Sequence, residues 1–166
     1  MSISTDAGIR ALAARVAERL LGAGRSLVVA ESCTGGWVAK ACTDLPGSSR
    51  WCLGGVVTYS DDLKTGLLGV SQGTLRQQGA VSQAVVRDMA VGVLERLGGD
   101  VSVAVTGIAG PDGGVSGKPV GTVWFAWAVR HADQLEVRTA LERFDGDREA
   151  IRRQAVASAL GGVLEA

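Results

Sequence analysis

The chain has 166 residues, with 17 Lys and Arg against 17 Asp and Glu, so its formal charge is zero. That balance argues against broad electrostatic binding to nucleic acid or to an anionic membrane surface. At 46% hydrophobic residues and a mean hydropathy of +0.22, the sequence can fill one core of ordinary domain size, which excludes global disorder and predicts a single domain.

Glycine is the outlier, at 24 residues, about twice the usual ~7% share, so many tight turns and close backbone approaches are expected. The three cysteines, Cys33, Cys42 and Cys52, form no C-x-x-C pair, and the single histidine, His131, cannot complete a familiar zinc cluster with them. No metal site is expected. An odd cysteine count and the lack of a basic stretch followed by an apolar leader point to a reducing cytoplasm. The longest apolar run, 120–129, is too short for the ~20 residues of a membrane helix and reads as a buried strand.

In chain order, Ile9, Leu12, Val16 and Leu20 recur at steps of three and four and predict a helix that Gly22 and Gly24 end. Residues 26–30 form a short apolar strand that runs into Glu31-Ser32-Cys33-Thr34-Gly35-Gly36, and 37–43 reads as helix. Ser32 therefore falls at a strand-to-helix junction. A second strand over 51–58 ends at Tyr59, and Ser60-Asp61-Asp62 supplies the N-cap and acidic first turn of a helix carrying Leu63, Lys64 and Leu67.

From Ser82, the positions Val85, Val86, Met89, Val93, Leu94 and Leu97 keep helical spacing until Gly98-Gly99. Val101, Val103 and Val105 alternate as a strand, followed by the glycine-rich loop from Thr106 to Gly114. Strands over 120–129 and 135–141 form a hairpin-like pair joined around His131-Ala132-Asp133. Asp147 caps a final helix with Ile151, Ala155, Ala159 and Val163 on its inner face. This order predicts an α/β fold: a three-layer α/β/α sandwich with a mixed, mainly parallel sheet.

In such a sheet ligands bind beyond the carboxyl ends of the strands. Ser32 at one of these ends would have an exposed hydroxyl, with the amides of Thr34, Gly35 and Gly36 as an oxyanion hole, an arrangement suited to acyl transfer. A serine needs a base. With one histidine, in a strand turn, Lys64 fits that task better, because the positive end of its helix and partial burial both favour the neutral amine. Tyr59 could relay a proton.

Each residue also has a plainer role. Ser32 or Thr34 could be a helix N-cap, Lys64 a solvated charge, and Tyr59 an anchor at the core's edge. Cys33 is an alternative nucleophile or a small packing group. The segment 112–119 looks like a Walker A loop, yet Asp112 stands where glycine is required and Pro119 where Ser or Thr binds magnesium. Nor does Gly107-x-x-Gly110-x-x-Gly113 have dinucleotide-fingerprint spacing. The loop is either an anion-binding nest of amides or an elaborate turn.

Taken together, five ordered motifs resemble the CinA C-terminal domain family, a nicotinamide-nucleotide amidase family. They are Ala30 to Gly36, Gly55 to Ser60 with Lys64, Gly79 to Ser82, Thr106 to Gly114, and Lys118 to Val123. The resemblance spans nearly the whole chain. It implies hydrolysis of nicotinamide mononucleotide to nicotinate mononucleotide and ammonia, in pyridine nucleotide salvage, without metal or organic cofactor.

By that resemblance Ser32 is the nucleophile, Lys64 the general base and then acid, and Tyr59 an orienting or relaying group. Thr106, Gly107, Gly110 and Arg148 are candidates for holding the substrate's phosphate, with Arg148 ahead of Arg152 and Arg153. The implied partners are the small nucleotide and further copies of the chain, with no nucleic acid or membrane. Many family members also carry a larger N-terminal domain, for which 166 residues leave no room, so a stand-alone form is expected. A nucleotide-binding or partner-binding protein without turnover, and an amidase for another carboxamide, are the competing readings. Ammonia release separates them.

Overall fold

The central strands are apolar on both faces, so the sheet they form has to be covered on both sides. In the computed structural model, which describes residues 4–132 and 134–166, this is what happens. The elements run α1 (Asp6–Ala23), β1 (Leu27–Glu31), α2 (Trp37–Thr43), β2 (Cys52–Val57), α3 (Asp61–Leu68), α4 (Gln72–Gln78) and α5 (Gln83–Leu97), then β3 (Val101–Gly107), β4 (Thr122–Arg130), β5 (Leu135–Arg143) and α6 (Arg148–Val163).

The strands form one sheet in the order β2-β1-β3-β4-β5. Strand β1 pairs in parallel with both β2 and β3, while β4 is antiparallel to β3 and to β5. Among the described strands β4 alone thus runs against the others, which is the expected mixed, mainly parallel sheet.

One face of the sheet presents Leu27, Val29, Val103, Val105, Phe125 and Trp127 to α1, α2 and α6. The other presents smaller residues, Val28, Ala30, Ala104, Ala126 and Ala128, to α3, α4 and α5. Two cores therefore sandwich the sheet, and α5 lies close because its side of the sheet carries alanines.

Packing is close where α6 crosses Trp127. The Trp127 indole donates to the Ala159 carbonyl at 2.9 Å, and a Cβ added at Gly162 would lie 2.1 Å from two of its ring carbons. A Gly162→Ala substitution is accordingly expected to destabilise the protein by about 1–3 kcal/mol through overpacking, seen as a lower urea midpoint at unchanged slope.

Two elements differ from the sequence reading. Helix α4 is not anticipated, because Leu75 is its buried residue and so it has no apolar stripe to read; its one cue is Ser71, whose hydroxyl caps the first turn. The first helix continues through Gly22 and ends at Gly24, which adopts the left-handed conformation. Of the expected β4–β5 turn, Asp133 lies outside the described residues. No helix among the described residues is long and apolar enough to cross a membrane.

Candidate active site

The parallel strands β1, β2 and β3 end at one edge of the sheet, and the loops leaving them enclose a cleft of about 270 Å³. Ser32 and Cys33 enter it from β1, and Tyr59, Asp61 and Lys64 from β2 and α3. Ala80 and Val81 precede α5, Thr106 and Gly107 end β3 with Ile108 to Gly110 just after it, and Arg148 opens α6. His131 follows the end of β4 that pairs with the start of β3, so it sits at the opposite edge of the sheet.

Ser32 follows β1 directly. Its N–H donates to the Val105 carbonyl and its own carbonyl accepts from the Gly35 N–H, both at 3.0 Å, which closes a tight turn. Gly35 and Gly36 take φ values of +62° and +94°, a region that residues with a Cβ rarely enter, so the double glycine is what allows the turn.

Glu31, 1% exposed, aims its carboxylate at the start of α2. One oxygen accepts from Gly36 N–H at 3.0 Å and Val38 N–H at 3.1 Å, the other from Ala39 N–H at 2.8 Å. A buried carboxylate requires such donors. This corrects the expected oxyanion hole: the Gly35 and Gly36 amides are used within the protein, and Thr34, Gly35 and Gly36 do not line the cleft. Of the three, the Thr34 N–H is the one without an internal acceptor among the described residues.

Lys64 is no solvated charge. It is 1% exposed, with its amine 3.2 Å from Ser32 Oγ, 2.8 Å from the Thr58 carbonyl and 3.3 Å from the Tyr59 carbonyl. A neutral amine has two N–H bonds for the two carbonyls and a lone pair for the serine hydroxyl. Burial pulls the Lys64 ammonium below its ordinary pKa, opposed by the Asp61 carboxylate at 4.0 Å. The cleft thus holds a hydroxyl beside an amine whose burial lowers its pKa.

Tyr59 lies half-exposed at the cleft mouth, and its hydroxyl accepts from Arg148 at 2.8 Å rather than meeting Lys64 or Ser32. The other prong of Arg148 donates to the Gly110 carbonyl at 2.8 Å, so this side chain ties the Tyr59 loop to the glycine-rich loop. Thr106 is buried, its hydroxyl donating to the Ala80 carbonyl at 3.0 Å.

The CinA C-terminal domain family model matches residues 9–166. The chain belongs to this family. It is 50% identical over 156 residues to a curated "Nicotinamide-nucleotide amidohydrolase PncC" of Escherichia coli K12, covering 94% of this chain and 93% of that one. A Pseudomonas putida protein of the same name is 50% identical over 157 residues, covering 95% and 96%. A solved CinA superfamily protein from Escherichia coli superposes with a TM-score of 0.91 at 39% identity, covering 99% and 92%.

Within this CinA-type cleft, Cys33 drops out as nucleophile. Burial pushes its thiol up to about 12, so at neutral pH it is a protonated packing group. The three candidate arginines also separate. Arg148 reaches the cleft, Arg153 pairs with Asp6 and Glu149, and Arg152 turns toward the Cys33 and Thr34 carbonyls.

Sequence reasoning missed Glu31 as the partner of the α2 amides, and Ala80 and Val81 as cleft wall. A carboxylate ending an apolar strand just before Gly-Gly was the available signal for the first. Among the described residues no three His, Cys, Asp or Glu side chains are grouped to hold a metal ion.

Proposed function

We propose that the chain hydrolyses the carboxamide of nicotinamide mononucleotide to nicotinate mononucleotide and ammonia. The observation that carries this reading is the Lys64 amine, buried and 3.2 Å from the Ser32 hydroxyl, in a chain half identical along its length to curated nicotinamide-nucleotide amidohydrolases.

Ser32 Oγ attacks the carboxamide carbon while its proton passes to Lys64 Nζ. The tetrahedral intermediate collapses as Lys64 returns the proton to the departing nitrogen, leaving an ester on Ser32 and free ammonia. Water then attacks the ester, again losing its proton to Lys64, and Ser32 leaves with that proton. The Tyr59 hydroxyl, held by Arg148, orients the substrate at the mouth and is not in the proton route. Arg148 is the group that meets the phosphate, exchanging its contact with the Gly110 carbonyl for a charged oxygen.

Ammonia release from nicotinamide mononucleotide, nicotinamide riboside and nicotinamide, measured side by side, tests this. Turnover of the nucleotide well above the other two supports it; equal turnover of all three, or none, refutes it. Arg148→Ala is expected to raise KM for the nucleotide by about 10-fold to 100-fold, the worth of a charge-assisted hydrogen bond, and to raise KM for the riboside, which has no phosphate and loses only the hold on Tyr59, distinctly less.

A further inference from the structure

The turn after the nucleophile is held from two sides. Glu31 takes the N–H groups at the start of α2, as described above. From the other side Arg152, one turn into α6, donates through Nε to the Cys33 carbonyl at 3.0 Å and through its terminal nitrogen to the Thr34 carbonyl at 2.9 Å. These are the first two carbonyls after Ser32, and the contact joins residues 118 and 119 positions apart in the chain.

The guanidinium is itself braced. It lies 5.6 Å from the centre of the Trp37 ring, at cation–π distance. Gly35 leaves it room, since a Cβ there would come within 3.1 Å of its terminal nitrogen. Arg152 does not line the cleft, and its guanidinium is turned to the backbone of the Cys33-Thr34 turn.

We propose that Arg152 is a positioning residue for the hydrolysis: its two-pronged hold on the Cys33 and Thr34 carbonyls fixes the turn that places Ser32 Oγ against the Lys64 amine. The inference rests on the amidohydrolase reading given above. Peptide planarity sets what Arg152 controls. Holding the Cys33 carbonyl also fixes the Thr34 N–H on the far side of the same plane, and holding the Thr34 carbonyl fixes the Gly35 N–H that closes the turn on Ser32.

A planar guanidinium can bind two adjacent carbonyls at once, whereas an ammonium has no such fixed fork. Without the fork the turn keeps its backbone contacts and Glu31 but loses the hold on its outer carbonyls, and the Ser32 hydroxyl drifts from the amine. A displacement of about 1 Å at a reacting group costs on the order of 100-fold in rate.

The test is steady-state ammonia release from nicotinamide mononucleotide by wild-type, Arg152→Met and Arg152→Lys proteins, each assayed well below its own melting temperature. Arg152→Met is expected to lower kcat by about 10-fold to 100-fold with KM within twofold of wild type, and Arg152→Lys to fall between the two. If Arg152→Met does not fold, Arg152→Lys alone decides the matter, with kcat lowered at least threefold as the expected result. A wild-type kcat in the folded variants, with only the melting temperature reduced, makes Arg152 a structural residue and overturns the proposal. A raised KM with unchanged kcat makes it a substrate contact and overturns it equally. Failure of the wild-type protein to release ammonia would instead be failure of the amidohydrolase reading.

Discussion

Ser32→Ala protein is expected to lose ammonia release by at least about 1,000-fold, since removing the nucleophile of a covalent hydrolase leaves only binding and electrostatic stabilisation. The substitution removes one oxygen from a residue whose backbone already holds the turn through the Val105 and Gly35 contacts, so the fold and KM should change little. A second measurement sharpens the test. With hydroxylamine present the wild-type protein should form the hydroxamate of nicotinate mononucleotide, because the ester on Ser32 is open to that nucleophile, and the alanine variant should form none. Turnover by Ser32→Ala protein within tenfold of wild type would remove the serine from the mechanism.

The second large effect concerns Lys64. An arginine at this position keeps the positive charge but does not lose its proton in a protein, so Lys64→Arg is expected to lower kcat by about 100-fold to 10,000-fold, the usual worth of a general base. For the wild-type protein, kcat/KM should rise with pH along a limb set by the Lys64 amine, and that limb should lie below the ordinary 10.5 because burial lowers its pKa. The limb should be missing from the arginine variant. A limb unchanged in that variant would assign the titration to another group.

The same shift has a consequence for stability with a definite sign. Between the lowered folded-state pKa and 10.5 the unfolded chain carries a proton on Lys64 that the folded chain does not. Stability therefore rises as pH climbs through that window, and below it the cost of burying the amine is constant. Melting temperature against pH, compared with Lys64→Met, isolates this contribution: the methionine variant should lack the part of the slope that belongs to Lys64.

The serine and the lysine that meet in the cleft were legible because local signals placed them. An apolar strand running into Glu31-Ser32 and a Ser60 cap followed by two aspartates set where each element starts, and the α/β architecture brings such starts to one edge of the sheet. The amides after Ser32 were read wrongly, because spacing tells which N–H groups lack a helical partner but not which buried side chain claims them; Glu31 does. The hydrogen bond from Arg148 to Tyr59 spans 89 positions and that from Arg152 to Cys33 spans 119, so no sequence window contains either pair. Helix α4 escaped for the opposite reason: it is local but almost wholly solvated, and without burial there was no periodicity to detect.

Both arginines that reach the cleft or its turn come from α6, the last helix of the chain, which packs against the same core as α1 and α2. The elements before α6 already supply Ser32 and Lys64, whereas the strut across the cleft mouth and the fork behind the turn both hang on how α6 packs. A substitution that loosens α6 against that core is therefore expected to disturb both contacts together.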